Sequence, residues 1–319
     1  MNLHDNTKLF TDILLTTAQH FSISSVYIEK DYWITHVLKQ LSQSHHASKV
    51  VFKGGTSLSK AYRLTNRFSE DIDVSVIDAD SFSGNQLKKL IRQVVKEMTA
   101  GLEETVINGT TSKGSHFYKA VYIYPNIATK IAKTAVSSGQ LLIEINTYAK
   151  PYPYKTKEIT NFIYDFLKQT NNGNLIEQYH LQPFPLNVLD KCRTMIEKII
   201  SLIRFSFAEN PVVELSAKIR HFYDLYYLAN DPECSEYLQS ALFQKDLSEL
   251  LIHDQSAFDI PQGWRNKKIT DSPLATDFSK FWTHLRKIYR NELETLAFAE
   301  IPNEKKVAET FESIIRSWL

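Results

Sequence analysis

Residues 50 to 77 read VVFKGGTSLSKAYRLTNRFSEDIDVSVI, and no other stretch constrains the fold as much. A β-branched run ends in Lys53-Gly54-Gly55-Thr56-Ser57, a helix-compatible SLSKAYRL follows, and a second β-branched run starts beside Asp71. The pattern predicts strand, turn, helix, strand in immediate succession. Two glycines at a strand end let the backbone turn with its N–H groups exposed, and Thr56 and Ser57 fall where a helix N-terminus concentrates partial positive charge. Such a turn suits a phosphate, although many Gly-Gly-Thr/Ser turns are plain strand-to-helix connections.

The flanks organise around this unit. From residue 5 to about 42 the apolar positions recur at helical spacing, with Ile28, Tyr32, Trp33, Val37, Leu38 and Leu41 on one stripe, so two helices open the chain and 1–42 packs on the unit of residues 43–150. Residues 43–150 hold the runs VVF and IDVSVI, helix-patterned pieces at about 56–64 and 85–101, and the further strand candidates ETVIN, HFYKAVYIY and QLLIEINTY. They predict an α/β (α+β) unit with a mixed sheet. Residues 151–188, with KPYPYKT, NNGN and QPFP, read as a connecting segment around one helix near 160–170. Residues 189–319 are helical in pattern to the end, with stripes through Cys192, Met195, Ile196, Ile199, Ile200 and Ile203 and through Leu215, Ile219, Phe222, Tyr226 and Ala229.

Only nine glycines and ten prolines in 319 residues argue against a loop-rich sandwich. The net charge of +1 provides no global field for nucleic acid or membrane, so any such binding rests on local patches. Cys192 and Cys234 make neither a disulfide framework nor a C-x-x-C site, which fits a reducing cytoplasm. The start MNLHDNTKLF lacks the basic and apolar regions of a signal peptide, and no run approaches 18 apolar residues, so neither secretion nor membrane insertion is expected. None of the ten histidines forms a helical zinc motif; His45-His46 reads as a solvated loop, and His221 stands alone.

Asp71 and Asp73 are separated by one residue in a strand, so both carboxylates share a face while Ile72 points the other way. Like charges that close raise each other's pKa unless a cation neutralises them, and Mg²⁺, a hard ion that takes carboxylate and phosphate oxygens, is the natural neutraliser. The same pair could also be a solvated strand edge. A third carboxylate is expected from Glu144, alone among Ile143 and Ile145 in LLIEINTY; its plain alternatives are facing water or pairing with a lysine. Turn and carboxylates on adjacent strands are the minimum for nucleotidyl transfer.

KGGTSLSK, RFSEDID, the earlier VYIEKDYWIT and the later KIRHFYDLYYL together resemble the AbiEii/AbiGii-type nucleotidyltransferase toxins, a branch of the polymerase β-like superfamily, over residues 26 to about 228. The resemblance implies a nucleotidyltransferase-like sheet followed by a helical domain, and a toxin of a toxin–antitoxin pair. It implies an NTP substrate, Mg²⁺ or Mn²⁺, and an RNA acceptor, the 3′ end of tRNA among those known in the family. A cognate antitoxin, acting directly or indirectly, is the implied partner. Residue by residue, Gly54, Gly55, Thr56 and Ser57, with Lys53 beside them, would hold the triphosphate, and Asp71 and Asp73 the metal, flanked by Arg67 and Ser69. Two further motifs fall on Glu197-Lys198 and on Asp224-Leu225-Tyr226, with Lys198 and Asp224 as catalytic candidates.

The residues themselves leave these last assignments open. Lys198 lies off the apolar stripe of its helix, on one face with Lys191, so it is either solvated or turned into a cleft to meet the triphosphate. Asp224 sits on a helix apolar nearly all round and needs a partner, either Arg220 one turn earlier or, in the functional reading, Lys198 or the ribose of the nucleotide. Glu29-Lys30-Asp31 reads as a charged helix face that could support the cleft. Lys150, Lys155 and Lys157, interleaved with Tyr148, Tyr152 and Tyr154, form either an RNA-binding patch or a packed tyrosine loop. A nucleotide- or RNA-binding module without turnover, and transfer to a protein or small molecule, including self-modification at Ser57 or Thr56, remain the alternatives to RNA modification. The intact Asp-x-Asp favours catalysis.

Overall fold

The computed structural model describes residues 1–69, 71–114, 116–128 and 139–318; Glu70 of the RFSEDID run lies outside them. The chain divides into two units, the first made of Met1–Arg63 and Phe68–Leu189, the second of Leu64–Arg67 and Asp190–Leu319.

In the first unit, α1 (Thr7–Phe21) and α2 (Ser25–Ser42) precede β1 (Val50–Lys53), α3 (Gly54–Lys60) and β2 (Asp71–Val76). There follow α4 (Gly84–Met98), β3 (Glu103–Thr105), β4 (Ser112–Lys113), β5 (Phe117–Ile123), β6 (Gln140–Asn146), β7 (Tyr154–Ile159), α5 (Phe162–Gln169), α6 (Gly173–Gln178) and β8 (Phe184–Leu189). The strands form one mixed sheet in the order β3-β5-β6-β2-β1-β8-β7, with β4 paired to β5. β1 runs antiparallel to β2 and parallel to β8, while β2 runs parallel to β6. Strand alternation gives this sheet its two characters. Ile72, Val74, Ile143 and Ile145 are wholly buried, whereas Asp71, Asp73 and Glu144 alternate with them on a half-buried face.

The segment 151–188, expected as a connection, instead supplies β7, β8 and two helices to this unit. Proline misled the reading: Pro153 merely precedes β7, and exposed Pro185 in β8 lies opposite Glu158 of the edge strand β7. The helix expected over 56–64 begins at Gly54 and ends at Lys60.

The second unit comprises α7 (Lys191–Ser206), α8 (Pro211–Ser216), α9 (Ile219–Ala229), α10 (Pro232–Leu238), α11 (Ala241–Ala257), α12 (Pro273–Thr276), α13 (Phe278–Leu296) and α14 (Glu304–Arg316). Its core joins the buried stripe of α7 to α9 and an aromatic cluster in which Phe222 meets Phe311 at 4.8 Å and Trp282 at 5.4 Å between ring centroids. Leu64–Arg67 is tied into this unit by backbone: Asn66 accepts from the Phe298 N–H at 3.0 Å, and Arg67 bridges Ala297.

Candidate active site

Register brings four charged residues of the sheet into one row. Lys53 of β1 is opposite Asp73 of β2, Asp73 is opposite Glu144 of β6, and Glu144 is opposite Lys119 of β5. Because paired residues point to the same face, the row runs cation, carboxylate, carboxylate, cation across four strands. Lys119 Nζ lies 2.6 Å from Glu144 Oε1, which is the lysine pairing left open for Glu144. Asp71 adds a third carboxylate two residues before Asp73 on the same face.

The turn and the carboxylates interlock at Gly54. Its φ of +79° already favours glycine, and a Cβ there would stand 2.2 Å from Asp73 Oδ2. The carboxylate therefore rests against the Cα that opens α3, in space that only glycine leaves. Thr56 donates its hydroxyl to the Asp71 carbonyl oxygen at 2.5 Å, and Ser57 donates to the Gly54 carbonyl at 2.8 Å. Both hydroxyls, expected at a triphosphate, belong to buried residues and are turned inward: Thr56 ties the helix start to β2, and Ser57 bonds back within the first turn of α3. Ser69 is half-buried just before β2.

In the second unit Arg67 grips Asp224 with two parallel bonds, Nε to Oδ1 at 2.8 Å and an Nη to Oδ2 at 2.7 Å. Lys198 Nζ reaches the same Oδ2 at 2.7 Å. All three are buried, at 3%, 0% and 6% exposure for Arg67, Asp224 and Lys198. Arg67, expected to flank Asp71 and Asp73 at the nucleotide site, thus has its guanidinium committed to a buried carboxylate. Lys198 is not solvated, and Lys191 diverges from it to Asp231 at 2.6 Å. Arg220, the alternative partner of Asp224, pairs with Glu292 at 3.2 Å instead. Burial alone would raise the Asp224 pKa, but Arg67 and Lys198 outweigh it and hold the carboxyl well below the usual range. Burial and the Lys198 charge push His221 well below its ordinary value, so it stands neutral beside the trio.

A family model described as nucleotidyl transferase AbiEii toxin of a type IV toxin–antitoxin system matches residues 36–315. The chain belongs to this AbiEii family. Among solved structures, it is similar to MenT4, a nucleotidyltransferase toxin from Mycobacterium tuberculosis H37Rv, at 16% identity and a TM-score of 0.51, covering 96% of this chain and 98% of that one. At that identity the likeness establishes a shared fold. No curated protein matches the sequence significantly. The AbiEii chain is therefore a nucleotidyltransferase toxin, and its family implies an NTP substrate and an antitoxin partner.

The sequence reading missed what holds the turn of this AbiEii chain in place. Glu29, Lys30 and Asp31, read as a charged face, are buried at 0%, 6% and 5% exposure because α2 is covered on all sides. Asp31 takes Lys60, at the end of α3, at 2.5 Å and accepts the Phe162 N–H that opens α5 at 3.0 Å. Glu29 accepts the N–H groups of Ile127 and Ala128 at 2.8 and 2.9 Å. Burial lowers the Lys60 pKa and Asp31 works against that, so the pair fastens the far end of the helix whose start is the glycine turn. The available signal was the sequence IEKDYWI, where charges with apolar neighbours on every side demand buried partners.

Among the described residues, no three His, Cys, Asp or Glu side chains form a ready-made metal cluster, and no helix is long and apolar enough to cross a membrane. The donor set still fits a hard divalent ion, since Asp71 and Asp73 offer carboxylate oxygens on one face and Gly54 lets the Asp73 carboxylate lie against the turn.

Proposed function

We propose that this AbiEii chain is a Mg²⁺- or Mn²⁺-dependent transferase that moves a nucleoside monophosphate from an NTP to an RNA acceptor in the cytoplasm, tRNA being the first candidate, with release of pyrophosphate. The observation that carries the reading is the fit of Asp73 against Gly54, which couples the carboxylate face to the turn. Asp71 and Asp73 are the residues to hold the ion, and Glu144 can join them by exchanging Lys119 for it. When bound, the ion supplies charge neutralisation on the triphosphate and on the attacking oxygen. The Lys53-Gly54-Gly55 turn receives phosphate through backbone N–H groups, shaped by Thr56 and Ser57 and anchored through Lys60 and Asp31. Within the second unit Asp224 holds Lys198 in one geometry, and the assignment of that cation to the leaving pyrophosphate comes from the family motif.

The test is incubation with each labelled NTP and total cellular RNA, with Asp73→Asn as the control. Label should enter RNA with one NTP preferred, require divalent metal, and vanish in the variant. Label recovered in protein or small molecules, or transfer that survives chelation, would overturn the reading.

A further inference from the structure

The helix α4 carries a second electropositive feature that the carboxylate site does not use. Lys88, Arg92 and Lys96 recur every four residues, so they form one exposed stripe with about 6 Å of rise between successive charges. None of the three has an ion-pair partner among the described residues, although the chain as a whole is nearly neutral. The stripe borders a cavity of about 300 Å³ whose other wall includes Lys113 of β4 and Tyr118 and Tyr122 of β5. The two tyrosine hydroxyls bond to each other at 2.9 Å and make a rigid, polar floor. One carboxylate enters this lining, Glu104, and Lys113 neutralises it at 2.6 Å. The groove therefore keeps three uncompensated cations.

We propose that this groove binds the sugar–phosphate backbone of the RNA acceptor, at a place apart from the reacting end. The inference rests on the RNA acceptor proposed for this protein and extends that reading to the length of the acceptor. Tyr118 and Tyr122 alternate with Lys119 along β5, and Lys119 belongs to the carboxylate row, so groove and carboxylates occupy opposite faces of the sheet. β5 lies two strands from β2, and the sheet ends beyond it at β3. An RNA lying along α4 must pass around that edge to present a terminus to Asp71 and Asp73. A polymer of several nucleotides can do so, and a mononucleotide or dinucleotide cannot. Charges at fixed helical spacing above a recessed polar floor match a phosphodiester chain, since phosphate contacts position a nucleic acid without reading its sequence. An anionic lipid surface would instead call for protruding apolar groups beside the cations.

The decisive variant is Lys88→Gln/Arg92→Gln/Lys96→Gln, with exposed helical positions and good helix formers, so the fold is retained. Binding of deproteinised bulk tRNA is measured at several salt concentrations, together with phosphatidylserine vesicles and a fluorescent NTP. The expected result is about tenfold or greater weakening for tRNA and a salt slope reduced by about 2 to 3, the loss of three phosphate contacts, with NTP binding unchanged. Lys88→Arg/Lys96→Arg should bind as the wild type does. If wild-type protein binds tRNA with a steep salt slope and the Gln variant matches it, the groove is wrong and the RNA reading stands. If wild-type protein binds no tRNA, the groove proposal falls, and labelling of total cellular RNA decides the RNA reading separately. Loss confined to the vesicle arm would overturn the proposal in favour of a membrane surface.

Discussion

The same chemistry, carboxylates facing basic side chains, occurs in each unit of this AbiEii protein with opposite accessibility. In the sheet, Glu144 and Lys119 retain 21% and 29% exposure, and Asp71 and Asp73 are half-buried beside them. In the helical unit Asp224 retains none, and its two cations are nearly as covered. Charges in contact with water can exchange partners cheaply, whereas a sealed ion pair is costly to break from either side. The half-open row is thus suited to receiving an ion and a triphosphate, and the sealed trio is suited to holding one geometry.

The contrast is broken most severely on the open side. Asp73→Asn, and equally Asp71→Asn, should reduce nucleotidyl transfer by about a thousandfold, ~4 kcal/mol of transition-state stabilisation, because each removes a carboxylate oxygen proposed to hold the metal. Neither should lower the melting temperature appreciably, since these side chains are not core. Transfer kinetics and thermal melts on the same preparations check both halves. Wild-type rates, or unfolding, would place the two aspartates on the structural side of the comparison.

On the sealed side the effect shifts from rate to stability. Asp224→Ala leaves Arg67 and Lys198 buried without their common counter-ion and should destabilise the protein by about 3–5 kcal/mol, read from denaturant unfolding. Acid should act in the same direction. The folded-state pKa of Asp224 is depressed, so its contribution is fully present above the ordinary carboxylate range near 4 and is lost as pH falls below it. The wild type should therefore lose stability between about pH 4 and pH 2 more steeply than Asp224→Ala, and parallel curves would remove Asp224 from that role. Lys198→Ala relieves one of two cations, so it should melt higher than Asp224→Ala while weakening NTP use.

Much of the open site was legible in the sequence, and the sealed one only half so. Strand alternation put Asp71 and Asp73 on one face from spacing alone, and isolated Glu144 as a charge among isoleucines. Local spacing could not reveal that Glu144 is opposite both Asp73 and Lys119, because register is a long-range property fixed by the pairing of three strands. For Asp224 the apolar surroundings signalled a need for a partner, and Lys198 was one of the residues considered. Arg67 was not, since its chain segment joins a different unit from the strands on either side of it. The buried Asp31–Lys60 pair escaped for a related reason: a helix covered on every face has no solvent side to reveal which charges are internal.

A smaller and more local break is Gly54→Ala. The substitution adds strain at φ +79° and sets a methyl group against Asp73 Oδ2, which must move aside. A stability loss of about 1–3 kcal/mol is expected. Transfer should fall by more than that loss explains, because the displaced carboxylate is the one proposed to hold the metal. Activity normalised to the folded fraction checks this, and a fully active folded Gly54→Ala protein would uncouple the turn from the carboxylates.

The smallest expected effect sharpens the comparison at its least settled residue. The Glu144–Lys119 pair is partly exposed, so breaking it by either Glu144→Gln or Lys119→Met should change stability by less than about 1 kcal/mol. The metal requirement should nevertheless move in opposite directions. If Glu144 joins Asp71 and Asp73 by giving up Lys119, removing the lysine eliminates a competing cation and lowers the metal concentration for half-maximal transfer. Removing the carboxylate eliminates a donor and raises it. Titration of Mg²⁺ and Mn²⁺ against both variants reads this directly. Equal shifts of one sign, or none, would make Glu144 a surface ion-pair partner and leave Asp71 and Asp73 as the only carboxylates of the row that meet the ion.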